Sequence, residues 1–135
     1  MVTKVFQNFT IIRNTNGKSP DLPFVRIKNE ILGRDYDLTL VFPTLAESIR
    51  LHKQYKQKND PVNILSFPLD DSTGEMYITL GKIRATARDF GLTYHEMLVY
   101  VFIHGCIHLL GNDHGDHMDK LEQKWCKVFK VKYPY

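Results

Sequence analysis

The sequence predicts an α+β fold, an αβα sandwich on a mixed sheet of roughly four strands with about five helices. Three observations carry that reading. Stretches rich in β-branched and aromatic residues alternate with stretches whose apolar residues recur every three or four positions. Two of the strand-like stretches are joined by a short turn and the others through helical stretches, so antiparallel and parallel neighbours are both expected. A length of 135 residues, 43% hydrophobic and 24% charged, supplies one ordinary core and not two. With no internal repeat or linker, the expected organisation is a single domain over residues 1–135.

Val2 to Ile12 reads as the first strand, bulged where its alternation slips. Asn14 to Pro20 is a turn. Phe24, Ile27 and Ile31 fall at helical spacing, with prolines before them and Gly33 after, and give a short first helix. Leu38 to Phe42 is a second strand. Thr44 and Glu47 form a capping box that opens a helix to about Gln57. Leu45 and Ile49 are its expected inner face, and Arg50, Lys53, Lys56 and Lys58 make its far end positive. Val62 to Phe67 is a third strand ended by Pro68, and Gly74 marks a turn into a fourth, Glu75 to Leu80. Ile83, Ala87 and Phe90 place a helix that Gly91 stops. A second capping box, Thr93 and Glu96, opens a helix towards Leu110, with Gly111 as its left-handed terminator. Met118, Leu121, Trp125 and Val128 define a last amphipathic helix, with Lys120, Lys124 and Lys127 outward.

Composition narrows the function. No stretch approaches the roughly 20 apolar residues of a membrane span. The longest candidate, Met97 to Leu110, is interrupted by two histidines and a glycine. The N-terminal residues are polar where a signal peptide needs an apolar run, so a cytoplasmic protein with no membrane partner is expected. There, Cys106 and Cys126 are too few for a disulfide framework and read as buried small hydrophobes. A formal charge of +3 is compatible with a polyanionic partner without identifying one.

Four of the six histidines lie between His104 and His117, and this is where chemistry shows. In His104-Gly-Cys-Ile-His108-Leu-Leu-Gly111-Asn-Asp-His114, the first two imidazoles project one helical turn apart from one face, placed to share a metal ion. Gly111 lets the chain leave the helix, and His114 can return as a third ligand. Two such rings in an apolar segment are costly to bury without partners. Three histidine nitrogens leave one position of a zinc ion open to water, the catalytic and not the structural arrangement. His117 is the rival third ligand; its plainer reading is an exposed residue near the start of the last helix. Cys106 lies about 200° round the helix from His104 and is discounted as ligand or nucleophile. Ser66 reads as structural.

The spacing H-x-x-x-H-x-x-G-x-x-H is also that of metzincin peptidases, which need Glu directly after the first histidine as general base. Gly105 stands there, which disfavours peptide hydrolysis. Phosphodiester cleavage depends more on charge neutralisation and a metal-polarised oxygen. A glycine there also leaves room for a bulky substrate.

The motif H-G-x-x-H-L-x-G-x-D-H resembles the signature of the YbeY family of metal-dependent endoribonucleases. Ile64-Leu-Ser-Phe-Pro68, after Tyr55-Lys-Gln-Lys-x-x-Pro61, and Gly74-Glu75-Met-Tyr-Ile78 are similar to that family's strand segments. The likeness runs from about Leu45 to the end. It implies an αβα domain with a zincin-like metal helix and one zinc ion per chain on His104, His108 and His114, other divalent metals remaining possible. It further implies cleavage of single-stranded rRNA in maturation of the small-subunit 3′ end and in ribosome quality control. The small ribosomal subunit and its assembly factors are the implied partners. Four positions depart from the pattern: Val62-Asn63 replaces Thr-Asp, Asn112 replaces Tyr, and Lys56 replaces an Arg, keeping the charge without its bidentate geometry.

On this reading Lys56, with Arg84, neutralises charge developing on the scissile phosphate, unless both belong to a solvated helix face. Asp113 either orients a ligand imidazole or caps the last helix. Two other classes stay open: a non-catalytic ribosome-assembly factor with a structural metal, and a metallopeptidase using a base from elsewhere.

Overall fold

A computed structural model describes residues 1–56, 63–111 and 115–135, with the backbone alone at Lys56. Five strands, β1 (Val2–Phe6), β2 (Phe9–Arg13), β3 (Asp37–Phe42), β4 (Ile64–Asp70) and β5 (Thr73–Ile78), form one sheet in the order β1-β2-β3-β5-β4. The inner pairs β2/β3 and β3/β5 are parallel, and the outer pairs β1/β2 and β4/β5 are antiparallel. Among the described residues five helices accompany the sheet: α1 (Phe24–Leu32), α2 (Leu45–Lys56), α3 (Leu80–Asp89), α4 (Tyr94–Leu109) and α5 (Asp116–Val128).

The α+β class and the helices stand as expected, but the sheet has five strands. The slip in alternation after Phe6 is a hairpin turn and not a bulge. Phe6 pairs with Phe9, and Asn8 takes φ 57°, a conformation Asn tolerates better than most side chains. Pro68 does not end β4; β4 is an edge strand, where a missing N–H costs no ladder bond, and its register shifts between Pro68 and Asp70.

Alternation along β5 sorts the helices between the two faces. Gly74, Met76 and Ile78 are buried on one side, where Leu109 of α4 reaches Gly74. Glu75 and Tyr77 point to the other, where Phe67 of β4 lies 5.9 Å from the Tyr77 ring and 4.8 Å from Tyr55 of α2. Helix α2 therefore covers the face opposite α4, which makes the sandwich. Its capping box forms: Thr44 N–H donates to Glu47 and Glu47 N–H to Thr44. Its expected inner residues do not face inward, since Leu45 and Ile49 are 57% and 36% exposed. Ser48 is buried instead, 2.6 Å from the Thr79 hydroxyl.

Helix α4 runs through the core. Phe102 packs edge-on against Phe24 of α1 at 5.0 Å and stacks on Phe9 of β2 at 6.1 Å. The second capping box anchors its start, with Thr93 accepting from Glu96 N–H and Glu96 from Thr93 N–H. Gly111 (φ 91°) ends it as expected.

Gly74 is not a turn residue. It lies within β5, paired with Pro68, and a Cβ there would overlap the buried Tyr36 hydroxyl and lie 3.0 Å from Leu109. Gly74→Ala is expected to lower the unfolding free energy in urea by about 1–3 kcal/mol, the usual cost of overpacking.

Candidate metal centre

The burial pattern of α4 builds the site. From Met97 to Leu109 every residue is buried except His104 and His108. Four residues apart, both histidines point to one side of the helix, with ring centroids 4.8 Å apart and planes at 86°. Two imidazoles that break the surface of an otherwise apolar helix form the start of a metal-binding face.

Helix α5 supplies the support. Its buried stripe is Met118, Glu122 and Cys126, at i, i+4 and i+8, so Glu122 faces α4 with only 3% of its surface exposed. One carboxylate oxygen, Oε1, lies 3.1 Å from Nδ1 of His104 and accepts the hydroxyl of Tyr100, one turn earlier on α4. A carboxylate without a proton only accepts, so Nδ1 of His104 carries the bridging hydrogen, and in the neutral ring Nε2 is the nitrogen that would take a metal. This carboxylate–imidazole arrangement fixes the ring and the tautomer of a metal-ligating histidine. The donor chemistry therefore fits a divalent ion at His104 and His108. Tyr100 is buried, and burial followed by its bond to Glu122 raises its hydroxyl pKa, which keeps it a donor.

His114 and Asp113, the other residues expected here, lie outside the described residues, as does the side chain of Lys56. Among the described residues no set of three His, Cys, Asp or Glu side chains converges on one point. His117 is exposed in the first turn of α5. Cys106 is fully buried, and burial pushes its thiol pKa well up, in keeping with a core role; Cys126 is buried and free as well. Arg84 sits elsewhere on the fold. Its guanidinium lies 4.1 Å from the Tyr94 ring centroid, at the far end of α4. Ten residues separate Tyr94 from His104, about 15 Å of helix, so Arg84 is not gathered with the histidine pair.

Gly105 also behaves differently from expectation. The room beside it is filled: a Cβ there would lie 2.6 Å from Ile64 Cδ1 and 2.6 Å from Met76 Cε. The glycine lets α4 approach β4 and β5, and no space is left for substrate at that point. A glutamate could enter only by displacing both Ile64 and Met76, and with Gly105 in that place the chain lacks the metzincin's general base there.

Glu122 was missed in the sequence because the inner face of α5 was drawn through Leu121, Trp125 and Val128. Val128 is 40% exposed, and the buried stripe lies one position round. The available signal was a carboxylate at i+4 from Met118, in line with Cys126.

Beside His104, a cavity of about 330 Å³ is bounded by Tyr100, Asp119, Glu122, Tyr133 and Tyr135. The three tyrosine rings lie 6.0–6.1 Å from one another. The last residues of the chain thus shield the Glu122 side of the histidine.

A family model described as endoribonuclease YbeY matches residues 23–128. The chain is 38% identical over 84 residues to the endoribonuclease YbeY of Solibacter usitatus, covering 59% of this chain and 57% of that one. Against the endoribonuclease YbeY of Petrotoga mobilis the identity is 30% over 128 residues, covering 92% of this chain and 86% of the relative. The chain thus spans little more than half the length of the first of these relatives. The solution structure of TM1509 from Thermotoga maritima is similar in fold, with a TM-score of 0.64 at 24% identity over 90% of this chain and 91% of the other.

Tyr100→Phe removes the hydroxyl from Glu122 and leaves the ring packing in place. A hydrogen bond to a charged group is worth about 1.5–3 kcal/mol, and a loss of that size is expected in denaturant unfolding. An unchanged midpoint would mean that Glu122 is held from elsewhere.

Proposed function

The chain belongs to the family of endoribonuclease YbeY, and on that premise we propose that it is a metal-dependent endoribonuclease cutting single-stranded RNA, with small-subunit rRNA as its substrate. The observation that carries this reading is the His104–His108 pair, partly exposed within the otherwise buried Met97–Leu109 run of α4 and braced by Glu122. His104, His108 and, from the sequence motif, His114 would hold one zinc or similar divalent ion. That ion supplies positive charge and Lewis acidity at a scissile phosphate.

The protein's own contribution is placement. Glu122 holds the His104 ring, Tyr100 holds Glu122, and the packing of Gly105 on Ile64 and Met76 seats this stretch of α4 against the sheet. Phosphodiester cleavage suits such a site because charge neutralisation contributes most of the acceleration and no carboxylate base is needed after the first histidine. Peptide hydrolysis is disfavoured by the same packing. Lys56, at the end of α2, is the residue the family motif assigns to the phosphate. An assembly role in the small ribosomal subunit is compatible with this activity and draws on the same RNA contacts.

His108→Ala is expected to lose bound metal and RNA cleavage together; metal retained at wild-type stoichiometry would remove the assignment. Glu122→Gln keeps the shape of the side chain and removes its charge. Metal affinity should fall about 10–100-fold, the usual effect of losing a supporting carboxylate, measured by competition with a chromogenic chelator. Lys56→Ala should lower the single-turnover cleavage rate about a hundredfold with metal content unchanged if it stabilises the transition state. A loss confined to RNA affinity would assign it to docking.

A further inference from the structure

A second cavity, of about 340 Å³, opens where the parallel strands β2, β3 and β5 end. It is bounded by the turn after β2, including Asn16 and Lys18, by Thr79 and the first turn of α3, and by Arg84 and Tyr94. Its chemistry is one-sided. Among the described residues, two cations and several hydrogen-bonding groups line it, with no Asp or Glu.

Arg84 is pre-positioned in this cavity. Its guanidinium stacks at 4.1 Å from the Tyr94 ring centroid, and Tyr94 is itself half-buried at the start of α4. Stacking fixes the plane of the guanidinium without consuming the N–H groups at its edge, the geometry that suits a phosphate. Lys18, an exposed lining residue, adds a flexible charge, and the positive end of α3 adds to the same field.

We propose that this cavity is a phosphodiester-binding site that grips the backbone of single-stranded RNA away from the position where it is cut. The inference rests on the nuclease reading for its choice of anion. Tyr94 and His104 are about 15 Å apart along α4, so a single strand must run over more than one nucleotide to reach both. The cavity thereby favours extended substrates over very short ones.

The test is fluorescence anisotropy of a labelled single-stranded RNA, 2′-O-methylated to slow cleavage, titrated over a range of salt with the full-length chain. Lys18→Ala/Arg84→Ala should bind at least tenfold more weakly. Its plot of log affinity against log salt should be shallower by about 1.4, at about 0.7 per phosphate contact on a single strand. A control variant, Lys4→Ala/Lys127→Ala, loses the same charge outside the cavity and should bind within twofold of wild type. Equal losses in both variants, or none in either, would overturn the proposal. Single-turnover cleavage of unmodified RNA separates this idea from its premise. RNA gripped through Lys18 and Arg84 but never cut would sink the nuclease reading alone. RNA cut normally, and bound by the cavity variant as by wild type, would sink this inference alone.

Discussion

The structure depends on the burial of α4. A helix packed on the sheet at one side, with α1, α3 and α5 around it, must be apolar nearly all round. That constraint fixes everything near the site. Gly105 is there because Met76 and Ile64 leave no room for a side chain, and Phe102 is there to fill the space between β2 and α1. Against such a background, His104 and His108 mark the one place on the inner run of the helix where polar atoms meet solvent.

Placing a polar pair on a buried helix has a cost, and α5 offsets it. Glu122 is itself a buried carboxylate, which only a full set of partners makes tolerable. Tyr100 and His104 are two of those partners, one turn apart on α4 and both directed at Oε1. The three groups therefore stand or fall together. Stability and ligand geometry are coupled because the bond that satisfies Glu122 also selects the lone pair that His104 presents.

Much of this was legible in the sequence, and the failures have physical causes. The capping boxes at Thr44 and Thr93 and the glycine stops at Gly33, Gly91 and Gly111 were readable because they are local. The hairpin at Asn8 was hidden because Gln-Asn is a weak turn signal between two apolar runs that continue each other. Leu45 and Ile49 misled because α2 lies on the less enclosed face of the sheet, where apolar spacing does not guarantee burial. At the site, the i, i+4 histidine pair was visible in the motif. Glu122 was not, because its role depends on how α5 is rotated against α4, a tertiary fact that periodicity fixes only to within a residue. Arg84 was assigned by charge alone, and only the fold shows it stacked on Tyr94 at the other end of α4.

The central claim is that Glu122 sets His104 to present Nε2 beside His108. Long-range proton–nitrogen correlation spectra of the nitrogen-15-labelled chain, stripped of metal and then titrated with zinc, test it directly. The account predicts that metal-free His104 is the Nδ1-protonated tautomer and that zinc moves the Nε2 resonances of His104 and His108 at one equivalent. A metal-free His104 protonated on Nε2, or zinc that leaves both rings unmoved, would contradict it.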